Sequence, residues 1–182
     1  LPAAAVATLG TQLASAIDAI HNATDEDGRP LNVIHRDVSP NNVMVDASGQ
    51  ARLIDLGIAR SSDRKQKSTQ VGMVKGTLRY LAPEILSGGD HSRATDLWAL
   101  GVTLWESALA RYAVHGDEVL TIKAAMDGTL ASLLPGEKVD RAVQDAVLAL
   151  VAPVGRRLQN ARAANAVFGR LAARFAGGRA AL

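Results

Sequence analysis

Residues 35–57, HRDVSPNNVMVDASGQARLIDLG, decide how this chain reads. They divide into a polar loop from His35 to Asn42, two short apolar runs around DASGQ, and the triplet Asp55-Leu56-Gly57. Asp46, Ser48 and Gly49 are turn formers, so Val43–Val45 and Arg52–Ile54 read as two strands of a hairpin. Centred between Ser48 and Gly49, the hairpin sets Val43 opposite Ile54 and Asn42 opposite Asp55. Directly opposed residues on antiparallel strands have Cα atoms about 5 Å apart. An amide oxygen and a carboxylate thus meet at the open end, and two hard oxygen donors with room for waters and phosphate oxygens suit Mg²⁺. Asp37, just upstream in the same loop, is placed to accept or orient a proton from an attacking hydroxyl.

Upstream of this stretch, Val6, Leu9, Leu13, Ile17 and Ile20 recur at three- and four-residue steps, which predicts an amphipathic helix over Pro2 to Ala23. The turn-rich NATDEDGRP ends it. Downstream, residues 59–80 are polar, lack period, and are long for a structureless loop; such loops are usually functional. The basic run Arg60, Arg64, Lys65, Lys67 reads as a solvated face of that loop. Beyond Pro83 the chain turns helical again. Thr95 to Ala110 is apolar almost all round, so this helix is expected to run through the core, with Trp98 and Trp105 as core residues. Asp117–Met126, Val139–Val151 and Asn160–Phe175 are three further amphipathic stretches separated by Gly and Pro breaks.

Composition agrees with that outline. The chain has 182 residues, 48% of them apolar and 21% charged, enough for one packed domain and too apolar for a disordered chain. Aromatic residues are only 3% against 33 alanines, so Leu, Val, Ile and Ala must build the interior, and Ala favours helix. Lys and Arg number 20 against 18 Asp and Glu; a net charge of +2 is no footprint for nucleic acid. With no cysteine, disulfides, thiol nucleophiles and Cys-type zinc sites are excluded. The longest strongly apolar stretch, Leu97 to Trp105, is far shorter than the roughly 20 residues of a membrane span. The start, LPAAAVATLG, has no initiating Met and no basic leader; it reads as the middle of a longer chain, and a cytoplasmic one.

H-R-D-x-x-x-x-N at 35–42, D-x-G at 55–57 and A-P-E (Ala82-Pro83-Glu84), in that order, resemble the protein-kinase signature set. Gly76-Thr77-Leu78-Arg79-Tyr80-Leu81 resembles the substrate-site segment of serine/threonine kinases. Asp96-Leu97-Trp98-Ala99-Leu100-Gly101 resembles the start of the family's central buried helix, and Arg157-Leu158 its late arginine. The resemblance covers essentially the whole chain as the C-terminal lobe of a eukaryotic-like, bacterial serine/threonine kinase: mainly α with a small β-hairpin. It divides the chain into a catalytic loop and metal-binding hairpin (31–57), an activation segment (55–84) and a helical subdomain (95–176).

The resemblance implies ATP and Mg²⁺ as cofactors and a protein substrate. It implies Asp37 as catalytic base, Asn42 and Asp55 as metal and nucleotide-site ligands, and Thr77 at the acceptor site. Arg36 resembles the arginine that senses activation-loop phosphorylation, with Ser61, Ser62, Ser68 and Thr69 as phosphate acceptors. His35 and Asp96 are expected to be structural, and Glu84 to pair with Arg157, or with Arg156 if the register is shifted by one. Three departures stand out. Ser39 occupies the place of the usual lysine that contacts the transferred phosphate, Leu56 replaces the Phe of D-F-G, and no glycine-rich loop, V-A-I-K lysine or partner glutamate helix occurs in these residues. The N-terminal lobe is therefore the missing partner, and the apolar surface it normally covers invites self-association. Aminoglycoside-type phosphotransferases share the first motif but lack G-T-x-x-Y-x-A-P-E and D-L-W-x-L-G. The non-enzyme alternative is a kinase-like scaffold that binds partners without phosphoryl transfer.

Overall fold

The computed structural model describes residues 1–56, 78–111, 113, 118–128 and 139–177. Helix α1 (Ala3–His21) buries Val6, Leu13 and Ile17 completely, the face expected from their spacing. It is the one described helix long and apolar enough by length and composition to cross a membrane. Here that apolarity is spent on packing along the last helix and across the central one.

Strands β1 (Val43–Val45) and β2 (Ala51–Leu53) form the two-stranded antiparallel sheet. Gln12 of α1 ties the hairpin down: its Oε1 accepts the Ala51 N–H at 2.8 Å. The pairing is Val43 with Leu53 and Met44 with Arg52, one residue away from the expected register. The cause lies in the turn. Asp46 pairs backbone-to-backbone with Gln50, and its Oδ1 accepts the N–H groups of Ser48 (2.9 Å) and Gln50 (3.1 Å) and the Ser48 hydroxyl (2.6 Å). Gly49 takes a φ of +83°, open to glycine without steric cost. The loop is therefore three residues long rather than two, the type that closes through a left-handed glycine.

After a short helix α2 (Pro83–Leu86), helix α3 (Arg93–Leu109) opens on a capping box between Ser92 and Thr95. Every residue from Thr95 to Glu106 is buried, so α3 does run through the core. Gly101 lets the chain at Leu150 and Val151 approach closely: a Cβ there would lie 2.8 Å from both Leu150 Cβ and Val151 Cγ1. Helices α4 (Glu118–Met126), α5 (Arg141–Leu150) and α6 (Ala161–Gly177) follow the predicted stretches within two residues. Asp140 caps α5 by accepting the N–H groups of Ala142 and Val143. The result is a helical body built around α3, with the hairpin on the flank of α1.

Candidate active site

The loop before β1 is held from inside by one carboxylate. Asp96, in the first turn of α3 and 1% exposed, accepts the His35 N–H on Oδ2 (2.8 Å) and the Arg36 N–H on Oδ1 (2.9 Å). Its Oδ2 also lies 2.8 Å from Nε2 of buried His21, at the end of α1. Arg36 thereby sits at a φ of +70°, a left-handed conformation that non-glycine residues adopt only when surrounding bonds over-determine it. Asp37 follows directly, half-buried, its N–H donating to His35 Nδ1 at 3.3 Å. Burial holds the His35 imidazole below its ordinary pKa, with Asp96 opposing that shift. Buried His35 thus braces the turn into Asp37.

From Asp37 the chain closes on itself. The Asn42 side-chain N–H donates to the Asp37 carbonyl at 2.7 Å, and the Asn42 backbone N–H to the Ser39 carbonyl at 3.0 Å. Only the amide nitrogen can donate to a carbonyl, so Oδ1 is the end of Asn42 left for a cation. Ser39 lies inside this turn, 3% exposed.

Asn42 does not face Asp55. Its carbonyl accepts the Ile54 N–H at 2.9 Å, so Asn42 is paired with Ile54, and Asp55 stands one residue beyond. Asp55 is exposed and, at a φ of +56°, is the second non-glycine residue of this site in the left-handed region. The turn shift described above moved the pair out of direct opposition without separating the two residues by more than one step. A carboxamide oxygen with a fixed orientation and an exposed carboxylate fit Mg²⁺, which takes few protein ligands and keeps waters and phosphate oxygens. Among the described residues no cluster of three or more His, Cys, Asp or Glu offers an all-protein cage.

Farther along, Arg157 and Glu84 meet across 73 positions, at 2.6 Å and 3.2 Å. Arg157 also donates to the carbonyls of Ala94 (2.7 Å) and Ala152 (3.0 Å) and lies 5.1 Å over the Trp98 ring. The neighbouring Arg156 is exposed, so Arg157 is the partner. Thr77, Gly57, Ser61, Ser62, Ser68, Thr69 and the basic run from Arg60 to Lys67 lie outside the described residues.

A family model described as the protein kinase domain matches residues 1–150. The chain belongs to the protein kinase family. Similar curated kinases include the tyrosine-protein kinase MasK of Myxococcus xanthus, 39% identical over 111 residues, 60% of this chain and 17% of that protein. The serine/threonine-protein kinase PknA of Mycobacterium tuberculosis is 38% identical over 104 residues, 54% of this chain and 24% of that protein. The MAP kinase kinase skh1/pek1 of Schizosaccharomyces pombe is 39% identical over 80 residues, 44% of this chain and 21% of that protein. The matches thus span a quarter or less of these relatives' lengths.

Two residues packed around this region escaped sequence reading. His21 ends an apolar helix with no motif around it, yet it shares the Asp96 carboxylate with the backbone of the loop before β1. Glu106 sits in an almost wholly apolar helix and is 7% exposed. Its Oε2 accepts the Tyr80 hydroxyl at 2.6 Å, its Oε1 accepts the Ala113 N–H at 3.1 Å, and Arg79 Nε lies 3.5 Å away. Burial raises the Glu106 carboxyl above its ordinary pKa; burial and the Glu106 carboxylate raise the Tyr80 phenol well above its own. The one available signal was a charged residue at a core position of α3, because buried charges occur almost only in pairs.

Proposed function

We propose that residues 1–182 are the C-terminal lobe of a two-lobed kinase that transfers the γ-phosphate of Mg·ATP to serine or threonine hydroxyls of proteins in the cytoplasm. The reading rests on one observation above all: Asp37, Asn42 and Asp55 stand on a single loop and hairpin whose backbone is pinned by Asp96. In this reading Asp37 orients the acceptor hydroxyl and takes its proton, while Asn42 Oδ1 and the Asp55 carboxylate hold the metal. When bound, Mg²⁺ neutralises charge on the phosphate oxygens. Arg36 Nε is buried without a hydrogen-bond partner, which suits a guanidinium awaiting a phosphate on the activation segment.

The same reading makes the upper lobe indispensable. Catalysis of phosphoryl transfer is mostly positioning and charge stabilisation, and these residues supply only the floor of the cleft. Met44 and Val45 on β1, each 59% exposed, are the apolar surface left for a nucleotide and a covering lobe. The 182-residue chain alone then folds, binds Mg·ATP weakly and transfers no phosphate. The test is incubation of the longest natural chain containing these residues with radiolabelled ATP and a protein acceptor, followed by phosphoamino-acid analysis. Label on serine or threonine is expected. Label on tyrosine alone overturns the hydroxyl assignment, and transfer by the 182-residue chain overturns the need for a second lobe.

A further inference from the structure

The end of α1 and the starts of α3 and α6 enclose a polar cleft of about 220 Å³ that no step above uses. Its walls are Asp18, His21 and Asn22 from α1 and its cap, Arg93 in the first turn of α3, and the turn from Asn160 into Arg162. The acceptors on these walls are largely taken. The Asp18 carbonyl accepts both the backbone and the side-chain N–H of Asn22, and the His21 carbonyl accepts Arg93 Nη2 at 2.5 Å. The Asp18 carboxylate accepts Asn22 Nδ2 on Oδ1 at 3.0 Å and has Arg162 Nε 3.6 Å from Oδ2.

The donors are not taken. Arg93 makes that single bond to a carbonyl, so among the described residues its charge has no carboxylate partner. Arg162 is 81% exposed, and an ion pair at that exposure holds it weakly. Asn160 Oδ1 accepts the Ala163 N–H at 2.8 Å. The N–H groups of Ala161 and Arg162 are left with no acceptor inside α6, at the positive end of a 17-residue helix. A further polar group is buried. His21 is 2% exposed, and its Nε2 lies 2.8 Å from Asp96 Oδ2. An ionised carboxylate only accepts, so Nε2 carries a proton. Nδ1 makes no hydrogen bond among the described residues and is the ring nitrogen left to the cleft.

Two guanidinium groups and a helix N-terminus call for an anion with several oxygens. Nδ1 narrows the choice. It accepts a hydrogen bond when the ring is neutral and donates one when the ring is charged. Hydrogen phosphate, with a hydroxyl and bare oxygens, serves either state, whereas sulfate serves only the charged ring. The cleft is smaller than the roughly 300–1,000 Å³ of sites for drug-sized ligands, so its ligand is small. We infer that this cleft binds phosphate, free or as a small monoester, with Arg93, Arg162 and the start of α6 on its oxygens and His21 Nδ1 on the remaining one. Binding here is independent of the kinase reading above. Through His21 the ligand stands one bond from Asp96, whose other bonds hold the loop before β1.

The test is calorimetric titration of the longest natural chain with sodium phosphate, glycerol phosphate and sodium sulfate at neutral pH and constant ionic strength. Phosphate is expected to bind with a Kd of about 1 mM or tighter, the scale that five non-hydrogen atoms reach. Sulfate is expected about fivefold weaker for want of the hydroxyl. Tighter binding of glycerol phosphate assigns a monoester as the ligand and tighter binding of inorganic phosphate the free ion; either supports the inference. Arg162→Gln, at an exposed position, is expected to weaken phosphate at least about tenfold, as is Arg93→Gln where it folds. Asp55→Asn, in the proposed metal site, is expected to leave the affinity unchanged. No binding up to about ten times that Kd, sulfate as tight as phosphate, an unchanged Kd in Arg162→Gln, or loss of binding in Asp55→Asn overturns the inference.

Discussion

Glu84→Gln removes one charge from the Arg157 site while keeping the shape of the side chain. Arg157 is 2% exposed, with a partner on every side: two Glu84 oxygens, two backbone carbonyls and the Trp98 ring. Breaking a buried pair from one side costs about 3–5 kcal/mol because the remaining charge is stranded. Two corrections reduce that figure here. Glu84 is 27% exposed, so solvent already screens part of the attraction, and the carbonyls of Ala94 and Ala152 stay in place for the guanidinium. A cost of about 2–3 kcal/mol follows, or roughly 5–10 °C in Tm at the 2–4 °C per kcal/mol usual for this size. Arg157→Ala costs more, about 3–5 kcal/mol, since it also orphans both carbonyls and opens space beside Trp98. Arg156→Ala, at an exposed position, stays within about 0.5 kcal/mol. Urea unfolding of the three variants measures these differences. Glu84→Gln and Arg157→Ala both within about 0.5 kcal/mol of the parent would refute the pairing as a source of stability.

Asp37→Asn is expected to lower the phosphorylation rate of the longest natural chain by about 10²–10⁴ at an unchanged Tm, the usual worth of a positioned base, read from initial rates with radiolabelled ATP. Gly101→Ala places a methyl 2.8 Å from Leu150 Cβ, so the overpacking of about 1–3 kcal/mol outweighs the gain in helix propensity and the urea midpoint falls. Gly169→Ala, whose Cβ meets only Thr11 Cγ2 at 3.9 Å, gains about 0.5–1 kcal/mol instead. His35 has a folded pKa below its ordinary 6.5, so the unfolded chain takes up its proton first as pH falls. Stability is thus fully present above that value and declines below it, and His35→Gln should flatten this part of the pH profile below 6.5 in urea titrations.

What the sequence could and could not tell follows from which interactions are local. The helices were legible because Val6, Leu13 and Ile17, or the apolar run of α3, carry their period in the residues themselves. The Glu84–Arg157 contact was legible only through ordered motifs, since nothing local links positions 73 apart. The hairpin was legible and its register was not: the turn centre depends on three bonds to the Asp46 side chain and on Gly49 turning left-handed, and spacing alone does not choose between loops of two and three residues. Glu106 and His21 were passed over because their partners, Tyr80 and Asp96, are distant in sequence; the charge of Glu106 within an apolar helix was the one local sign, and His21, at a helix end, gave none.

The proposed metal site depends most directly on Asp55, which the turn moved out of register with Asn42 and yet kept beside it. The deciding measurement is the rate of phosphate transfer from Mg·ATP by the Asp55→Asn variant of the longest natural chain, with its Tm recorded alongside. Asp55 is exposed and makes none of the bonds that hold the loop, so the folded state is expected to survive. Loss of a metal ligand at a phosphoryl-transfer site predicts a rate at least as low as that of Asp37→Asn, about 10²–10⁴ below the parent. Full activity of Asp55→Asn with Mg·ATP would contradict the assignment of this loop and hairpin as the catalytic floor.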